Sequence, residues 1–193
     1  MMAFQDGGFI EDQQEWSSIS YGWHPKSDMA YSGCGIIAIW NVLVDAGAIS
    51  KKNASKVMKR LISHFERHGA VCGGYFGISV AALYLYLRRR FPKVSVTFRH
   101  DPFALNSFGL RHDVFVATVF NNAKNPLAGL HTVCITKSEK GYIVHNCYRK
   151  NAKGQWVCSP CYPKLSEALA HITANPGQVV VLGVEYFCGN VQF

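Results

Sequence analysis

The sequence lacks any long hydrophobic run. No stretch of its 193 residues approaches the roughly 20 uninterrupted apolar residues that a bilayer span needs. Its first residues, MMAFQDGGFIEDQQEW, also lack a basic region followed by an apolar one, which is the pattern of a secretory signal. These absences predict a protein without a membrane span. They favour a cytoplasmic location, with a mature secreted form as the alternative.

The chain also lacks an even set of cysteines. It contains seven, at irregular spacings, so a disulfide framework that uses all of them is impossible. Free thiols in this number are typical of a reducing compartment.

Acidic residues are scarce. The 12 Asp and Glu residues stand against 20 Lys and Arg residues, which gives a formal net charge of +8. The basic residues are dispersed, and the one tight run is LRRRF at 87–91. Arg88 to Arg90 near a helix C-terminus would complement the helix dipole, an interpretation that we favour over a phosphate-binding patch. We therefore expect no nucleic-acid partner, whereas the positive charge favours acidic peptide or anionic polymer substrates.

Apolar residues are abundant, at 49% of the chain, which is enough for a sizeable core. Repeats, low-complexity tracts and linkers are missing, so we predict a single domain over residues 1–193. Residues 1–30 have the composition of an irregular segment. Residues 31–91 form a predicted helical part, and residues 93–193 form a predicted part made mainly of strands.

Periodicity places the elements within these parts. The predicted helices cover residues 35 to 45, which end near Gly47, about 53 to 67, 80–91 and 163–173. Predicted strands cover 93–98, 113–120, 131–136, 142–148, 155–158 and 178–187. Helices followed by hairpin-linked strands indicate an α+β fold. The segments 21–33, 70–78 and 99–112 are expected to be loops that determine specificity.

Cys34 stands out because it begins a predicted helix. The unpaired N–H groups of a first helical turn and the helix dipole stabilise a thiolate over a thiol. Gly33 and Gly35 lack a Cβ, so a substrate backbone could approach the sulfur and the turn could take unusual dihedral angles. The alternative is a buried, inert thiol.

The segment GLHTVCITKSEKGYIVHNCY could supply the partners that a nucleophilic cysteine needs. A two-residue hairpin turn at 139–140 pairs Ile135 with Val144. The same register places His131 and Asn146 on one face of adjacent strands. Since that face is the apolar one, we expect it to meet the Cys34 helix. His131 would take the proton from Cys34 or form a resting ion pair with it, and Asn146 would orient the ring.

Three motifs carry a resemblance to a known family. SGCGIIAIWNVL matches a CG-x-x-A-x-x-N-x-L helix signature, LHTVCI resembles a strand that begins with the catalytic His, and GYIVHN resembles the strand that ends in Asn or Asp. In this order, the sequence resembles the papain-like cysteine peptidases, specifically the bacterial branch of bacteriocin-leader-processing peptidases. It is also similar to a group of bacterial proteins with a downstream GG-x-FG loop, here GGYFG.

The resemblance implies a papain-like fold, in which N-terminal helices pack on a C-terminal antiparallel sheet with the active-site cleft between them. It implies thiol-mediated cleavage of a peptide or isopeptide bond in a peptide or protein substrate, without a metal or other cofactor. Cys34, His131 and Asn146 would be the catalytic residues. Asn41 would tie the helix to a neighbouring loop.

One departure from the papain-like pattern concerns the oxyanion hole. These enzymes usually have a Gln several residues before the nucleophile, yet HPKSDMAYSG contains neither Gln nor Asn. Asp28 occupies about that position, and a carboxylate would repel a developing oxyanion. Either Asp28 does something else, or another group such as Tyr31 or Ser32 donates alongside the backbone N–H of Cys34, with Gly33 next to them in the cleft. The missing Gln favours the main alternative, a catalytically weak or inactive peptide-binding or regulatory module.

Two glycine- and cysteine-containing motifs have other interpretations. The GGYFG loop, with Gly73, Gly74 and Tyr75, is expected to form a rim of the cleft, because no Lys-Ser/Thr follows it as a P-loop requires. Cys158 and Cys161 form a C-x-x-C pair that could be redox-active or half of a zinc site. The nearest further zinc ligands in sequence are His145, Cys147 and Cys188. A zinc or thiol-redox protein is the third and least favoured interpretation.

Overall fold

The structure, a computed structural model, describes residues 7–121, 130–174 and 179–186. The helices are α1 Met29–Ser32, α2 Cys34–Asp45, α3 Ala54–His68, α4 Val80–Arg88, α5 Pro102–Leu110 and α6 Leu165–Ile172. The strands are β1 Lys93–Thr97, β2 Val114–Phe120, β3 Leu130–Ser138, β4 Gly141–His145, β5 Arg149–Lys150, β6 Trp156–Val157 and β7 Val180–Glu185. Within these ranges, no helix has the length and apolar character needed to cross a membrane.

Five strands form one antiparallel sheet in the order β1-β7-β2-β3-β4, and β5 pairs with β6 in a separate ribbon. The helices and this antiparallel sheet confirm the α+β class. The predicted register of the β3–β4 hairpin is also confirmed, since Ile135 lies opposite Val144. The ladder ends where Cys134 pairs with His145. Asn146 has a φ of 57°, so the chain turns away from the sheet at that residue.

Helices cover both faces of the sheet. Helix α2 packs on one face, in an apolar layer with the strand residues Val94, Val114, Val116, Cys134, Leu182 and Val184. Helices α5 and α6 pack on the other face, in a layer with the strand residues Phe115, Ala117, Val119, Val133, Ile135, Tyr142, Val144 and Val181. Central strands that are apolar on both faces are typical of a sheet between two helical layers.

The β3–β4 hairpin meets α2 with the opposite face from the one predicted. Cys134 faces α2, whereas Val133 and Ile135 contact the layer of α5 and α6. By strand alternation, His131 belongs with Val133 and Ile135 rather than with the residues beneath Cys34. The prediction was wrong because it considered only the apolar residues of the β3–β4 hairpin. Strands β2 and β7 supply most of the apolar surface on which α2 packs.

Polar residues on the sheet face that packs against α2 can be buried because they form hydrogen bonds within the protein. The hydroxyls of Thr132 and Thr118 lie 3.0 Å apart, and Thr136 Oγ1 lies 3.0 Å from His145 Nε2. His145 Nδ1 lies 2.5 Å from the carboxylate of Glu11. This face therefore accepts a buried helix despite its polar sequence.

Helix α5 corrects another prediction, since residues 99–112 were expected to form a loop. The Asp101 side chain accepts a hydrogen bond of 2.8 Å from the N–H of Ala104, and Pro102 occupies the start of the helix. Both are strong helix-start signals that the sequence already contained. The helix packs on the sheet face opposite α2.

The remaining helices follow the predictions closely. Helix α2 ends before Gly47, which has a φ of +70°. Asn41, inside α2, bonds to the main chain of Ile10 through both ends of its amide, at 2.8 and 3.0 Å. This confirms that Asn41 ties the helix to a neighbouring segment. The N-terminal part is less irregular than expected, because it contains α1 and a 3-10 turn at Gln14–Trp16.

Candidate functional site

Cys34 is the first residue of α2 and follows α1 after a single glycine. Gly33 has an ordinary φ of −80°, and a Cβ there would lie 2.4 Å from the carbonyl oxygen of Met29. A Cβ on Gly35 would lie 3.1 Å from the Ile78 side chain. The two glycines therefore allow close packing of the α1–α2 junction. The expectation that they take unusual dihedral angles is wrong for Gly33.

The thiol of Cys34 lies against strand β3. It interacts with the main chain and the side chain of Thr132 and with the amides of Cys34 and Gly35. Burial raises the pKa of Cys34, and these hydrogen bonds offset only part of that increase. The first-turn donors act in the direction that the sequence predicted, but the cost of desolvating a thiolate exceeds their contribution.

Cys34 opens onto a groove of about 400 Å³. The groove is lined by Gln14, Ser17, Asp28, Ala30, Tyr31, Ser32, Cys34, Tyr75, Phe76, Gly77, Asn121, Leu130 and Tyr148. The described lining is largely neutral and rich in aromatic rings, and Asp28 is the one carboxylate within it. Such a groove suits an uncharged or weakly polar ligand.

His131 is buried beside this groove and is not part of its lining. Its Nε2 lies 2.7 Å from the carbonyl oxygen of Asn146, and its Nδ1 lies 3.4 Å from the hydroxyl of Tyr148. Because a carbonyl only accepts hydrogen bonds, Nε2 carries the proton and Nδ1 is the basic nitrogen. Burial lowers the pKa of His131 to about 4, so the ring is neutral at pH 7.

Tyr148 connects the groove to His131. It lines the groove with Cys34, and its ring lies 4.4 Å from the His131 ring, tilted by 30°. Tyr148 has a φ of 57°, which is strained for a bulky residue. Among the described residues, the hydrogen bonds of the His131 ring go to Asn146 and Tyr148 and not to Cys34.

Asn146 orients His131 through its main chain, not through the carboxamide that the sequence analysis assigned to this role. The carboxamide Nδ2 donates to Gln13 Oε1 at 3.0 Å, and the main-chain N–H donates to Glu11 Oε2 at 2.8 Å. The carboxamide oxygen Oδ1 is buried and has no hydrogen-bond partner in the described part of the chain.

Sequence reasoning missed Glu11 and Gln13. Gln13 is buried and also donates from Nε2 to the carbonyl oxygen of Ala30 at 2.8 Å, so it joins α1 to Asn146. The papain-like pattern places its Gln within residues 24–33, whereas Gln13 lies further from Cys34 in sequence. The adjacent glutamines in DQQEW were candidate amide donors in the sequence. They were not assigned to the site because they lie far from Cys34 along the chain.

The predicted oxyanion candidates have mostly structural roles. Asp28 caps α1 by accepting a 2.7 Å hydrogen bond from the N–H of Tyr31. The Ser32 hydroxyl lies 3.4 Å from the carbonyl oxygen of Tyr75. A side-chain hydrogen bond with Tyr75 raises the pKa of Tyr31. Gln14, by contrast, is exposed and lines the groove with Cys34, so its carboxamide is a possible donor.

The cleft rim lies slightly further along the chain than predicted. Gly73 and Gly74 are buried, whereas Tyr75 and Phe76 line the groove. A Cβ on Gly73 would lie 2.5 Å from the Trp23 ring. The glycines therefore support the rim from beneath, and the aromatic residues form it.

The C-x-x-C pair shows no metal arrangement. Cys158 is half-buried, Cys161 is exposed, and both are free thiols. In the described ranges, no group of three or more His, Cys, Asp or Glu residues could hold a metal ion. Cys188 lies outside the described residues.

Comparisons with known proteins bring no relative to this site. No family model matches the chain, and neither the curated proteins nor the solved structures contain a match.

Proposed function

We propose that this protein is a papain-like cysteine hydrolase that cleaves a peptide or isopeptide bond through a Cys34 thioester. One observation carries the proposal. A thiol held by first-turn amides and by Thr132 opens onto a groove, beside a buried imidazole whose Nε2–H is fixed on a main-chain carbonyl. A fixed tautomer whose Nδ1 can accept a proton, here from the Tyr148 hydroxyl, is what a general base requires.

The resting site holds a neutral thiol and a neutral imidazole. On substrate binding, the Cys34 thiol gives its proton to the Tyr148 oxygen. At the same time, the Tyr148 hydroxyl gives its own proton to His131 Nδ1. The sulfur attacks the carbonyl carbon, and Gln14 donates to the resulting oxyanion. The proton returns by the same route to the leaving amine as the C–N bond breaks. A water molecule, deprotonated in the same way, hydrolyses the thioester and frees Cys34.

A peptide-binding module without turnover is the second candidate. The raised pKa of Cys34 and the lowered pKa of His131 both disfavour the reactive ion pair. The aromatic groove would serve binding equally well.

Digestion of a peptide library, with mass spectrometry of the trapped acyl-enzyme, separates the two candidates. We expect the wild type and Cys72→Ala to cleave peptides, because Cys72 is an exposed thiol outside the groove. Cys34→Ala should lose all cleavage, and His131→Gln should lose about 10²- to 10⁴-fold. Peptide binding without cleavage or acyl-enzyme in the wild type would establish the binding module instead.

A further inference from the structure

Helix α3 and the end of α4 form a second groove, which the proposed hydrolase site does not use. Its volume is about 740 Å³. Its cationic lining consists of Lys52, Lys56, Lys59, Arg60, Arg67 and Arg90. These residues are separated in sequence. The helical repeat brings four of them onto one side of α3, Lys52 precedes that helix, and Arg90 follows α4. We name this surface the basic groove.

The positive charge of the basic groove is not neutralised within the described part of the chain. The ion pairs there involve Glu11, Glu167 and Glu185, and none includes a cation of the groove. Glu66, the one acidic residue of α3, accepts a hydrogen bond from the main-chain N–H of Gly22 at 3.1 Å. The pKa of His64, which lines the groove, is lowered mainly by burial and further by neighbouring cationic side chains. The second cause agrees with a positive potential in the basic groove.

We propose that the basic groove binds the phosphate backbone of a nucleic acid without reading its bases. Helix α3 has 15 residues and is therefore about 22 Å long, so its cations are spread over the length of several consecutive phosphates. The guanidinium group of Arg60 suits bidentate contacts with phosphate oxygens, whereas that of Arg67 already donates to Ser63 and adds mainly its charge. Ser55 and Ser63 line the same groove and add hydroxyl donors.

The composition of the groove disfavours other polyanionic partners. Among the residues that the structure describes, no large apolar side chain lines it, so it lacks the residues that an interfacial helix inserts into a membrane. An acidic peptide would also need apolar anchors to bind specifically. Because its lining, within residues 7–121, 130–174 and 179–186, contains no Trp, Tyr or Phe on which bases could stack, we expect binding that is insensitive to sequence and steeply dependent on salt. Dispersion of these residues along the chain led the sequence analysis to expect no nucleic-acid partner.

Fluorescence anisotropy with a labelled 16-nucleotide single strand, from 50 to 200 mM salt, tests the proposal. The variant Lys56→Gln/Arg60→Gln removes two cations from the groove. The control Lys140→Gln/Lys153→Gln removes the same charge from exposed positions elsewhere. We expect the groove variant to reduce the slope of log Kobs against log salt by about 1.4, and the control to leave it near the wild-type value.

Labelled polyglutamate and vesicles containing phosphatidylserine serve as competing partners for the wild type. Nucleic-acid binding that is stronger than either, and that weakens only in the groove variant, supports the proposal. Equal loss in both variants, no nucleic-acid binding, or a preference for polyglutamate or vesicles overturns it. Cys34→Ala should bind the oligonucleotide like the wild type, so the outcome is independent of the hydrolase proposal.

Discussion

The two reactive side chains of the candidate site, Cys34 and His131, are both uncharged in the folded protein. Burial disfavours the thiolate and the imidazolium alike, because each loses its hydration. The hydrogen bonds that favour a charged form come from Thr132 and the first turn of α2 for the thiol, and from Asn146 for the ring. A substrate would therefore have to complete the ionisation.

The Thr132 hydroxyl is predicted to control the reactivity of Cys34. Because this hydroxyl lowers the pKa of Cys34 within a site that raises it, Thr132→Val should slow iodoacetamide labelling of Cys34 about tenfold at pH 7, the effect of losing one hydrogen bond to a charged group. Peptide mass spectrometry across a pH series measures the rate. Thr97→Val, on the far edge strand, is the control. Unchanged labelling in Thr132→Val would show that the hydroxyl does not stabilise the thiolate.

At the scale of elements, the segment before α1 holds the site together. Its residues form hydrogen bonds with Asn41 of α2, with His145 of β4 and with Asn146 in the turn that follows β4. Each contact is a buried or partly buried hydrogen bond between parts of the chain that are far apart in sequence. The orientation of Asn146, and with it the tautomer of His131, depends on this segment.

The link between α2 and this segment should be costly to remove. Asn41→Leu would leave the buried N–H and carbonyl of Ile10 without partners, so we expect the free energy of unfolding to fall by about 3 kcal/mol. Urea denaturation measures the change. Asn106→Leu is the matched comparison, since its amide makes one half-buried hydrogen bond to Ser166, and it should cost about 1 kcal/mol. Equal losses would contradict the predicted role of Asn41.

Helix α5 is expected to affect stability without affecting the groove. Asp101→Ala removes the N-cap and should lower the free energy of unfolding by about 1 kcal/mol. Because α5 lies on the sheet face opposite α2, the labelling rate of Cys34 should stay the same. A changed labelling rate of Cys34 with an unchanged free energy of unfolding would contradict this prediction. It would indicate instead that residues 99–112 influence the groove, as a specificity loop would.

At the scale of the whole molecule, the sheet separates two apolar layers, and His131 is buried near the start of β3. The pKa of His131 is lowered from 6.5 to about 4 in the folded state. Its contribution to stability is therefore complete above pH 6.5. That contribution is lost as the pH falls toward 4, where the unfolded chain binds a proton that the folded protein excludes.

Acid should therefore destabilise the wild type more than a variant without this ring. Between pH 7 and pH 4, we expect the His131 contribution to the free energy of unfolding to fall by about 3 kcal/mol. His131→Gln should lack this part of the loss, whereas His100→Gln, at an exposed position, should retain it. Urea denaturation at several pH values measures the difference. Parallel pH dependence in all three proteins would show that His131 titrates normally.

The sequence by itself determined the elements and their local pairing. Apolar periodicity predicted α2 and α3, and turn chemistry predicted the register that pairs Ile135 with Val144. These features depend on neighbouring residues, whose propensities act over a few positions. The cap and Pro102 of α5 were equally local signals.

Only the tertiary structure decided which face of the hairpin meets α2. That choice depends on apolar residues contributed by strands distant in sequence, such as Val116 and Leu182. It also decided that Gln13 bonds to the Asn146 side chain while the carbonyl of Asn146 binds His131. Burial decided the protonation states, because desolvation depends on everything packed around a group and not on its position in the chain.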